Sequence, residues 1–175
     1  MITVLRLSHR LHRDERLSTH VGLTARALGA GEVIFSGEKD DGLLESLKKV
    51  TENWGGPFRV RYEENWKSVI KAAKRKKIPT VHLTVYGKQL KEKISRIRKH
   101  KNLMVVVGSS KVPGQVYLLS DYNISVGTQP HSEVAALAIF LHEYFRGKEL
   151  GRKFKKAKLT IVPQERGKKV IAKKN

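Results

Sequence analysis

The chain has 175 residues, of which 39% are hydrophobic, and this suits one buried core in a single domain with at most a small appendage. Its 36 Lys and Arg against 16 Asp and Glu give a formal net charge of +20, which favours a polyanionic partner, nucleic acid first. The chain contains no cysteine, which excludes disulfides and thiolate metal sites. We also expect no secretory signal and no membrane span, and hence a cytoplasmic location.

Strand and helix patterns alternate along the first hundred residues. Asp40 or Asp41 starts one predicted helix, Asn65 caps another, and Gly29 ends the first. The alternation predicts an α/β fold with a mostly parallel sheet flanked by helices. The predicted strands are residues 2–7, 32–35, 58–62, 80–85 and 103–107, and the predicted helices are residues 21–28, 40–54, 66–77 and 88–101.

A polar loop follows the apolar strand at residues 103–107. Gly108 permits close approach of the backbone to a ligand, and Ser109 and Ser110 offer hydroxyls. Pro113 suits the first turn of the next helix. The patterns GxxxxGK[ST] and GxGxxG are both absent, so triphosphate hydrolysis and dinucleotide binding are not indicated. The residues alone therefore predict a ligand loop of unknown type.

A second strand–loop–helix unit spans residues 121–145, with the sequence DYNISVGTQPHSEVAALAIFLHEYF. Residues 124–126 predict a buried strand, which residues 127–130 break. Ser132 then suits the N-cap of a strongly apolar helix, with Glu133 in its first turn. One interpretation is an ordinary structural unit, and the other is a ligand loop at the carboxyl end of a strand.

A basic motif follows the first predicted strand. Arg10, Arg13 and Arg16 lie within seven residues, with Asp14 between them, in a segment predicted to be a loop. Such a cluster fits either a surface that contacts phosphates or a source of positive charge for a reaction. No HxH or HExxH spacing is present, so we expect no metal site.

The composition changes after Phe145. Residues 146–175 contain about a dozen Lys and Arg and two acids, Glu149 and Glu165. Within them, residues 159–162 and 170–172 predict a β-hairpin on a basic tail, and the alternative is a partly disordered tail.

Three segments together resemble the SPOUT class of RNA methyltransferases. They are RLHRDERLSTHVGLTARALGA (residues 10–30), VVVGSSKVPGQVYLLSDYN (105–123) and ISVGTQPHSEVAALAIFL (124–141), and they cover about a third of the chain. Within that class, the chain is most similar to the archaeal enzymes that methylate the ribose 2'-hydroxyl of cytidine 56 in the T-loop of tRNA. This resemblance implies an S-adenosylmethionine-dependent transferase with tRNA as its substrate.

The resemblance also implies a domain organisation. Residues 1–147 would form the methyltransferase domain, with a trefoil knot at about 80–147, and residues 148–175 would form a basic C-terminal extension. SPOUT proteins dimerise through the last helix of the knot, so a homodimer is implied as well. The implied S-adenosylmethionine site consists of the end of the fourth strand and the two knot loops, namely Leu83, Gly108, Ser109, Ser110, Lys111, Val112, Val126, Gly127, Thr128, Gln129, Pro130, His131, Ser132 and Glu133.

In related 2'-O-methyltransferases an arginine of the first motif assists the reaction. The resemblance makes Arg16 the first candidate, with Arg13 and Arg26 next and Asp14 orienting one of them. A guanidinium keeps its charge, so stabilising an alkoxide or a phosphate suits it better than abstracting a proton.

Two other functions remain open on the sequence. A non-catalytic RNA-binding protein, associated with ribosomes or tRNA, would use the same basic surface but would not need the two Gly-containing loops to converge. A different cofactor-binding α/β enzyme is disfavoured because no other fingerprint is present.

Overall fold

The computed structural model describes residues 1–108 and 111–173, apart from the side chain of Glu15. Within them, strands and helices alternate up to the last long helix. The strands are β1 (Ile2–His9), β2 (Glu32–Gly37), β3 (Arg59–Tyr62), β4 (Thr80–Gln89), β5 (Leu103–Gly108) and β6 (Tyr122–Ser125). The helices are α1 (Glu15–Ala27), α2 (Asp41–Trp54), α3 (Trp66–Arg75), α4 (Leu90–Ile97), α5 (Gly114–Leu119) and α6 (Glu133–Phe145).

The six strands form one sheet in the order β3-β2-β1-β5-β4-β6, and every neighbouring pair is parallel. The predicted α/β class with a parallel sheet is therefore confirmed. The continuous apolar sequence of β5 is explained by its place between β1 and β4, where both its faces are covered. The carboxyl ends of these strands meet at one edge of the sheet, which is where open α/β sheets bind ligands.

Helices cover both faces of the sheet. On one face, buried side chains of α1, α2, α4 and α6 pack on the sheet, with Leu47, Ile97 and Phe140 completely buried. On the other face, α3 and α5 contribute Ile70 and Val116 to a smaller core. No helix within the described residues is long and apolar enough to cross a membrane.

Three helix starts follow the predicted caps. The side chain of Asp40 accepts a hydrogen bond from Leu43 N at the start of α2, and that of Asn65 accepts from Lys67 N at the start of α3. The Ser132 hydroxyl accepts from Ala135 N at 3.2 Å at the start of α6. Each of these bonds pairs a backbone N–H that a helix start leaves without an intrahelical partner.

The basic motif after β1 differs from the prediction. Helix α1 begins at Glu15, six residues before the predicted start, so Arg16 lies on a helix and not in a loop. The turn before it closes with a hydrogen bond from Asp14 N to Arg10 O. The sequence pattern missed the start of this helix because residues 15–20 contain a single apolar side chain, Leu17, and so give no apolar repeat.

The end of the chain packs against the main body and then forms a hairpin. After a 3-10 helix (Lys148–Gly151), Lys155 exchanges backbone hydrogen bonds with Gly56, and the ring of Phe154 lies under the guanidinium of Arg26 at 4.4 Å. Strands β7 (Leu159–Val162) and β8 (Lys169–Ala172) then pair antiparallel. The two strands lie at the residues for which the hairpin was predicted.

Candidate active site

A cavity of about 570 Å³ opens at the carboxyl edge of the sheet. It lies between the start of α1, the middle of β4, the loop after β5 and the start of α6. Segments far apart in sequence therefore meet there, as expected for a ligand site in an open α/β sheet. The residues that line the cavity are Arg10, Arg13, Asp14, Leu17, His82, Leu83, Thr84, Val85, Tyr86, Gly108, Val112, Tyr117, Pro130, His131, Ser132, Glu133 and Ala136.

The loop after β5 begins at a glycine whose missing side chain leaves room for Val112. A Cβ on Gly108 would overlap Cγ2 of Val112, and both residues line the cavity. Leu83 and Val112 supply apolar surface beside them. Ser109 and Ser110 lie outside the described residues, and Lys111 is exposed and does not belong to the cavity lining.

The second predicted loop divides between two cavities. Pro130, His131, Ser132 and Glu133 line the main cavity at the N-terminus of α6, where backbone N–H groups favour negative charge. Residues 126–128 instead line a smaller cavity of about 230 Å³ with residues 89–91. Gln129 is exposed, and its carbonyl contacts Nδ1 of His131 at 2.6 Å. The structure thus brings about half of the predicted cofactor residues to one place.

The four predicted catalytic residues separate into three environments. Arg13 and Asp14 line the main cavity. Arg16 is exposed and lines a different cavity of about 300 Å³ with Asp40 and residues of α1 and α2. Arg26 is 7% exposed, and its Nη2 donates to the carbonyl of Gly55 at 2.6 Å. Within one chain, Arg26 therefore contributes to packing and Arg16 lies away from the main cavity.

A buried guanidinium organises the floor of the site. Arg6 on β1 is fully buried, and its Nε donates to Oε1 of Glu133 at 3.1 Å. Its Nη1 donates to the Leu7 carbonyl at 2.8 Å, and its Nη2 lies 3.6 Å from Oδ2 of Asp14. Arg10 donates to the same carboxylate oxygen of Asp14 at 3.0 Å. Arg6 thus holds the starts of α1 and α6 on the two sides of the cavity.

The two carboxylates of this network differ in pKa. Burial raises the pKa of Glu133 and outweighs the opposing charge and hydrogen bond of Arg6. Burial also acts to raise the pKa of Asp14, but the hydrogen bond from Arg10 and the charges of Arg6 and Arg10 bring it below its ordinary value. Asp14 is therefore the more firmly ionised of the two.

A polar cluster around His82 completes the cavity wall. The amide nitrogen of Asn123 donates to the Tyr117 carbonyl at 3.0 Å, so its oxygen must accept from Nδ1 of His82 at 2.9 Å. This fixes the proton on Nδ1 and leaves Nε2 as an acceptor, which has no hydrogen-bond partner among the described atoms. Burial lowers the pKa of His82, so the ring is neutral. The hydroxyls of Thr84 and Tyr117 lie 3.0 Å apart beside it.

Sequence reasoning missed several residues in and behind the cavity. Arg6, which is buried behind the lining, carried a signal, because a charged side chain among the apolar residues of a strand must be paired when it is buried. His82 and Thr84 carried a weaker signal, since they alternate with the apolar residues Val81, Leu83 and Val85 in the first half of β4. Tyr86 and Tyr117 carried none that a single sequence shows.

No group of three or more His, Cys, Asp or Glu side chains within residues 1–108 and 111–173 is placed to hold a metal ion. The arrangement instead combines an apolar wall, a helix N-terminus, two carboxylates and two cavity-lining arginines. These groups fit a small molecule that carries both apolar and charged parts, beside a second reactant with negative charge.

Comparison with known proteins places this site in context. Residues 54–171 match the family model described as tRNA ribose 2'-O-methyltransferase, aTrm56. The chain is 53% identical over 167 residues to the tRNA (cytidine(56)-2'-O)-methyltransferase of Methanopyrus kandleri, covering 95% of this chain and 94% of the relative. It is 52% identical over 177 residues to the protein of the same name from Methanocaldococcus jannaschii, covering 99% and 98%.

Solved structures share the fold at much lower identity. The SpoU methyltransferase AviRb from Streptomyces viridochromogenes, in complex with AdoMet, matches with a TM-score of 0.60 at 16% identity, and the match covers 87% of this chain. The chain spans 59% of the AviRb chain. The TrmH/SpoU tRNA-modifying enzyme of A. aeolicus matches with a TM-score of 0.60 at 15% identity, covering 85% of this chain and 75% of that one.

Proposed function

The chain belongs to the family of tRNA ribose 2'-O-methyltransferases, and we propose that its main cavity is where it methylates the ribose 2'-hydroxyl of cytidine 56 in tRNA. The observation that carries this assignment is identity of about half the residues over nearly the whole length of relatives with that activity in their name. The cavity offers a place for the chemistry, because Gly108, Val112 and residues 130–133 of the predicted loops line it.

We propose S-adenosylmethionine as the methyl donor, bound in the main cavity. The volume of about 570 Å³ is within the usual range of small-molecule sites. Leu83 and Val112 offer apolar surface to an adenosine, Gly108 allows the backbone to approach it, and the N-terminus of α6 suits a carboxylate. When bound, the donor supplies a sulfonium-activated methyl group.

The protein must stabilise charge at the attacking ribose oxygen. As that oxygen bonds to the methyl carbon and the carbon–sulfur bond breaks, the hydroxyl loses its proton. Arg13 lines the cavity and is exposed, so its guanidinium can face a developing alkoxide or the neighbouring phosphate. The carboxylates of Asp14 and Glu133 line the same cavity as proton acceptors, and the raised pKa of Glu133 makes it the stronger base.

Arg16, the first candidate on the sequence, serves the reaction only if a second subunit brings it to the cavity. We propose that the chain is a homodimer and that α6 contributes to its interface. Residues Ala136, Leu137, Phe140 and Leu141 of α6 are buried in the core, whereas Ile139 remains 47% exposed on the outer face. An exposed aliphatic side chain on a helix with so little polar surface suits an interface.

We also propose two domain-level features. Residues about 80–147, which carry the two loops, would form the trefoil knot of the SPOUT class, within a domain of residues 1–147. The basic extension, residues 148–175, would contact tRNA, because its hairpin carries exposed Arg166, Lys168 and Lys169. A tRNA substrate would place the protein in the cytoplasm.

Labelled S-adenosylmethionine and an unmodified tRNA transcript test the proposed function. We expect label at the 2'-oxygen of cytidine 56, identified by nuclease digestion and chromatography of the nucleosides. The control is a transcript with guanosine at position 56, in which the nucleotide that pairs with position 56 is changed to remain complementary. Binding of tRNA without transfer would favour the alternative of a non-catalytic RNA-binding protein.

A further inference from the structure

Strand β4 leaves its partner strand for four residues just beside the cavity. Ile124 of β6 stands opposite both Leu83 and Lys88, so residues 84–87 of β4 are looped out of the ladder. The bulge begins directly after Leu83, which lines the cavity, and residues 84–86 of the bulge line it too.

Two contacts hold the bulge in place. A Cβ on Gly87 would lie 2.5 Å from the backbone N of Ile124, so only glycine lets the bulge pass so close to β6. At the other end, the Thr84 hydroxyl accepts from Tyr86 N at 3.4 Å and contacts the Tyr117 hydroxyl at 3.0 Å. The backbone of the bulge is therefore fixed on both sides of Tyr86.

The side chain of Tyr86 is left in the open. It is 85% exposed, yet it is one of the residues that line the main cavity, so the ring stands at the cavity mouth. With so much of the ring exposed, packing within the described part of the chain does not explain its position. A hydrogen-bonded strand bulge that presents an exposed aromatic ring is the arrangement of a binding platform.

The surroundings of the ring are cationic. Arg10 and Arg13 line the same cavity, and Lys88 and Lys111 are exposed on the adjoining segments. With a net charge of +20, the chain attracts a polyanion to these cations. An exposed aromatic ring among arginines and lysines is typical of surfaces on which unpaired nucleic-acid bases stack.

We propose that Tyr86 stacks on an unpaired base of the RNA substrate, next to the ribose that enters the cavity. The inference rests on the proposed function for the identity of the RNA. Tyr86 is the residue that would hold one base of that RNA at the cavity mouth. A nucleotide of a folded loop that enters a cavity leaves its base stack, and this unstacking costs free energy. A stacking surface at the mouth offsets part of that cost.

Substitutions at Tyr86 test the platform. Because stacking contributes about 1–3 kcal/mol per base, Tyr86→Ala should lower kcat/KM for tRNA roughly 5- to 150-fold. Tyr86→Phe and Tyr86→Trp keep an aromatic face and should stay within about threefold of the wild type. Calorimetry with S-adenosylhomocysteine separates stacking from donor binding: the loss of kcat/KM in Tyr86→Ala should exceed any loss of donor affinity. The matched control is Leu118→Ala on α5, which also removes a large exposed side chain, 82% exposed, but lies outside the cavity lining.

Photo-cross-linking gives a readout that does not depend on turnover. A T-arm RNA with 5-iodocytidine at position 56 or its neighbours should cross-link to the peptide that contains Tyr86, and Tyr86→Ala should abolish that product. The proposal is overturned if Tyr86→Ala keeps wild-type kcat/KM, if Leu118→Ala loses as much, or if the cross-link maps elsewhere. A change in the mass of the Tyr86→Ala protein by light scattering would assign the ring to a subunit contact and also overturn it. A cross-link at Tyr86 without methyl transfer by the wild type would uphold the platform and reject the proposed function.

Discussion

Nε of Arg6 lies 3.1 Å from Oε1 of Glu133, although 127 positions separate the two residues in the chain. The contact joins the first strand of the sheet to the first turn of its last long helix, across the floor of the proposed active site. Both side chains are almost completely buried, at 0% and 9% exposure, so the pair depends on each partner remaining charged or hydrogen-bonded.

Removal of Arg6 should destabilise the fold strongly. Arg6→Met leaves the Glu133 carboxylate buried without its cationic partner, and we expect the free energy of unfolding to fall by about 3–5 kcal/mol in urea titrations. Arg61→Met is the matched control, because Arg61 also pairs with a carboxylate, that of Glu32 at 2.9 Å, but is 47% exposed. That control should lose about 1 kcal/mol or less. Equal losses in the two variants would contradict a special role for the buried pair.

The proposed donor site predicts ligand-dependent stability. S-adenosylhomocysteine should bind once per subunit without RNA and should add about 2.7 kcal/mol at a hundredfold excess over its Kd. Gly108→Ala should weaken this binding at least tenfold, because its Cβ would push Val112 Cγ2 toward the ligand. Gly114→Ala is the control, since its Cβ meets open space. Similar losses of affinity in both variants, measured by calorimetry, would argue against a site at Gly108.

The arginines can be assigned by single-turnover kinetics at saturating tRNA. Arg13→Ala should lower the rate of methyl transfer about a hundredfold or more, as loss of one charge-stabilising donor does. Arg13→Lys should rescue poorly, because an ammonium does not reproduce the guanidinium fork. A near-normal rate for Arg13→Ala at saturating tRNA would restrict Arg13 to phosphate binding.

A subunit-mixing experiment decides whether Arg16 acts across a dimer. If one site combines Arg13 of one subunit with Arg16 of its partner, mixed dimers of Arg13→Ala and Arg16→Ala chains contain one intact site. Random mixing of equal amounts should then restore roughly a quarter of wild-type activity from two inactive proteins. No recovery despite confirmed mixed dimers would place both residues in one subunit's site or exclude Arg16 from catalysis.

The basic hairpin predicts a salt dependence. Replacing Arg166, Lys168 and Lys169 by Gln should reduce the slope of log Kd for tRNA against log salt by about 0.7–0.9 for each phosphate that the hairpin no longer neutralises. The matched control replaces Lys71, Lys74 and Arg75 on α3, three exposed cations on the opposite face of the sheet from α2, which contacts the hairpin. A hairpin variant with the wild-type slope would show that the extension does not contact RNA.

His82 predicts a pH dependence of stability. Its pKa in the folded chain lies below the ordinary value near 6.5 because the ring is buried, so the unfolded chain binds more protons between the two values. The contribution to stability is complete above about pH 6.5 and declines as the pH falls toward the folded pKa. His82→Gln should flatten the decline between about pH 7 and 5. Parallel pH profiles for wild type and His82→Gln would refute this assignment.

The elements and their order could be predicted because each depends on local chemistry. The caps at Asp40, Asn65 and Ser132 are local hydrogen bonds, and the apolar runs of β1 and β5 reflect burial on both faces. The start of α1 could not be predicted from the sequence, because its first turn has no apolar repeat.

About half of the residues of the proposed site could be predicted from the sequence, and the rest could not for a reason other than the one that hid the start of α1. Loop positions such as Gly108 and Glu133 follow from the strand–loop–helix pattern, which places them at the carboxyl edge of the sheet. The pairing of Arg6 with Glu133 and the presentation of Tyr86 arise from sheet order and from the bulge in β4. Sequence spacing carries no information about either relationship, and it could not separate Arg13 from Arg16, which line different cavities although they belong to the same short motif.

The distance between Arg6 and Glu133 along the chain also has a meaning for biosynthesis. A ribosome that adds about 5–20 residues per second needs roughly 6–25 s to make the 127 residues between them. During that interval Arg6 has no carboxylate from α6, but Asp14, eight residues after it, is already available and also lies within 3.6 Å of it in the finished protein. Asp14 can therefore offset the charge of Arg6 in the nascent chain until α6 is made, and the ion pair with Glu133 is completed by the last of the long helices.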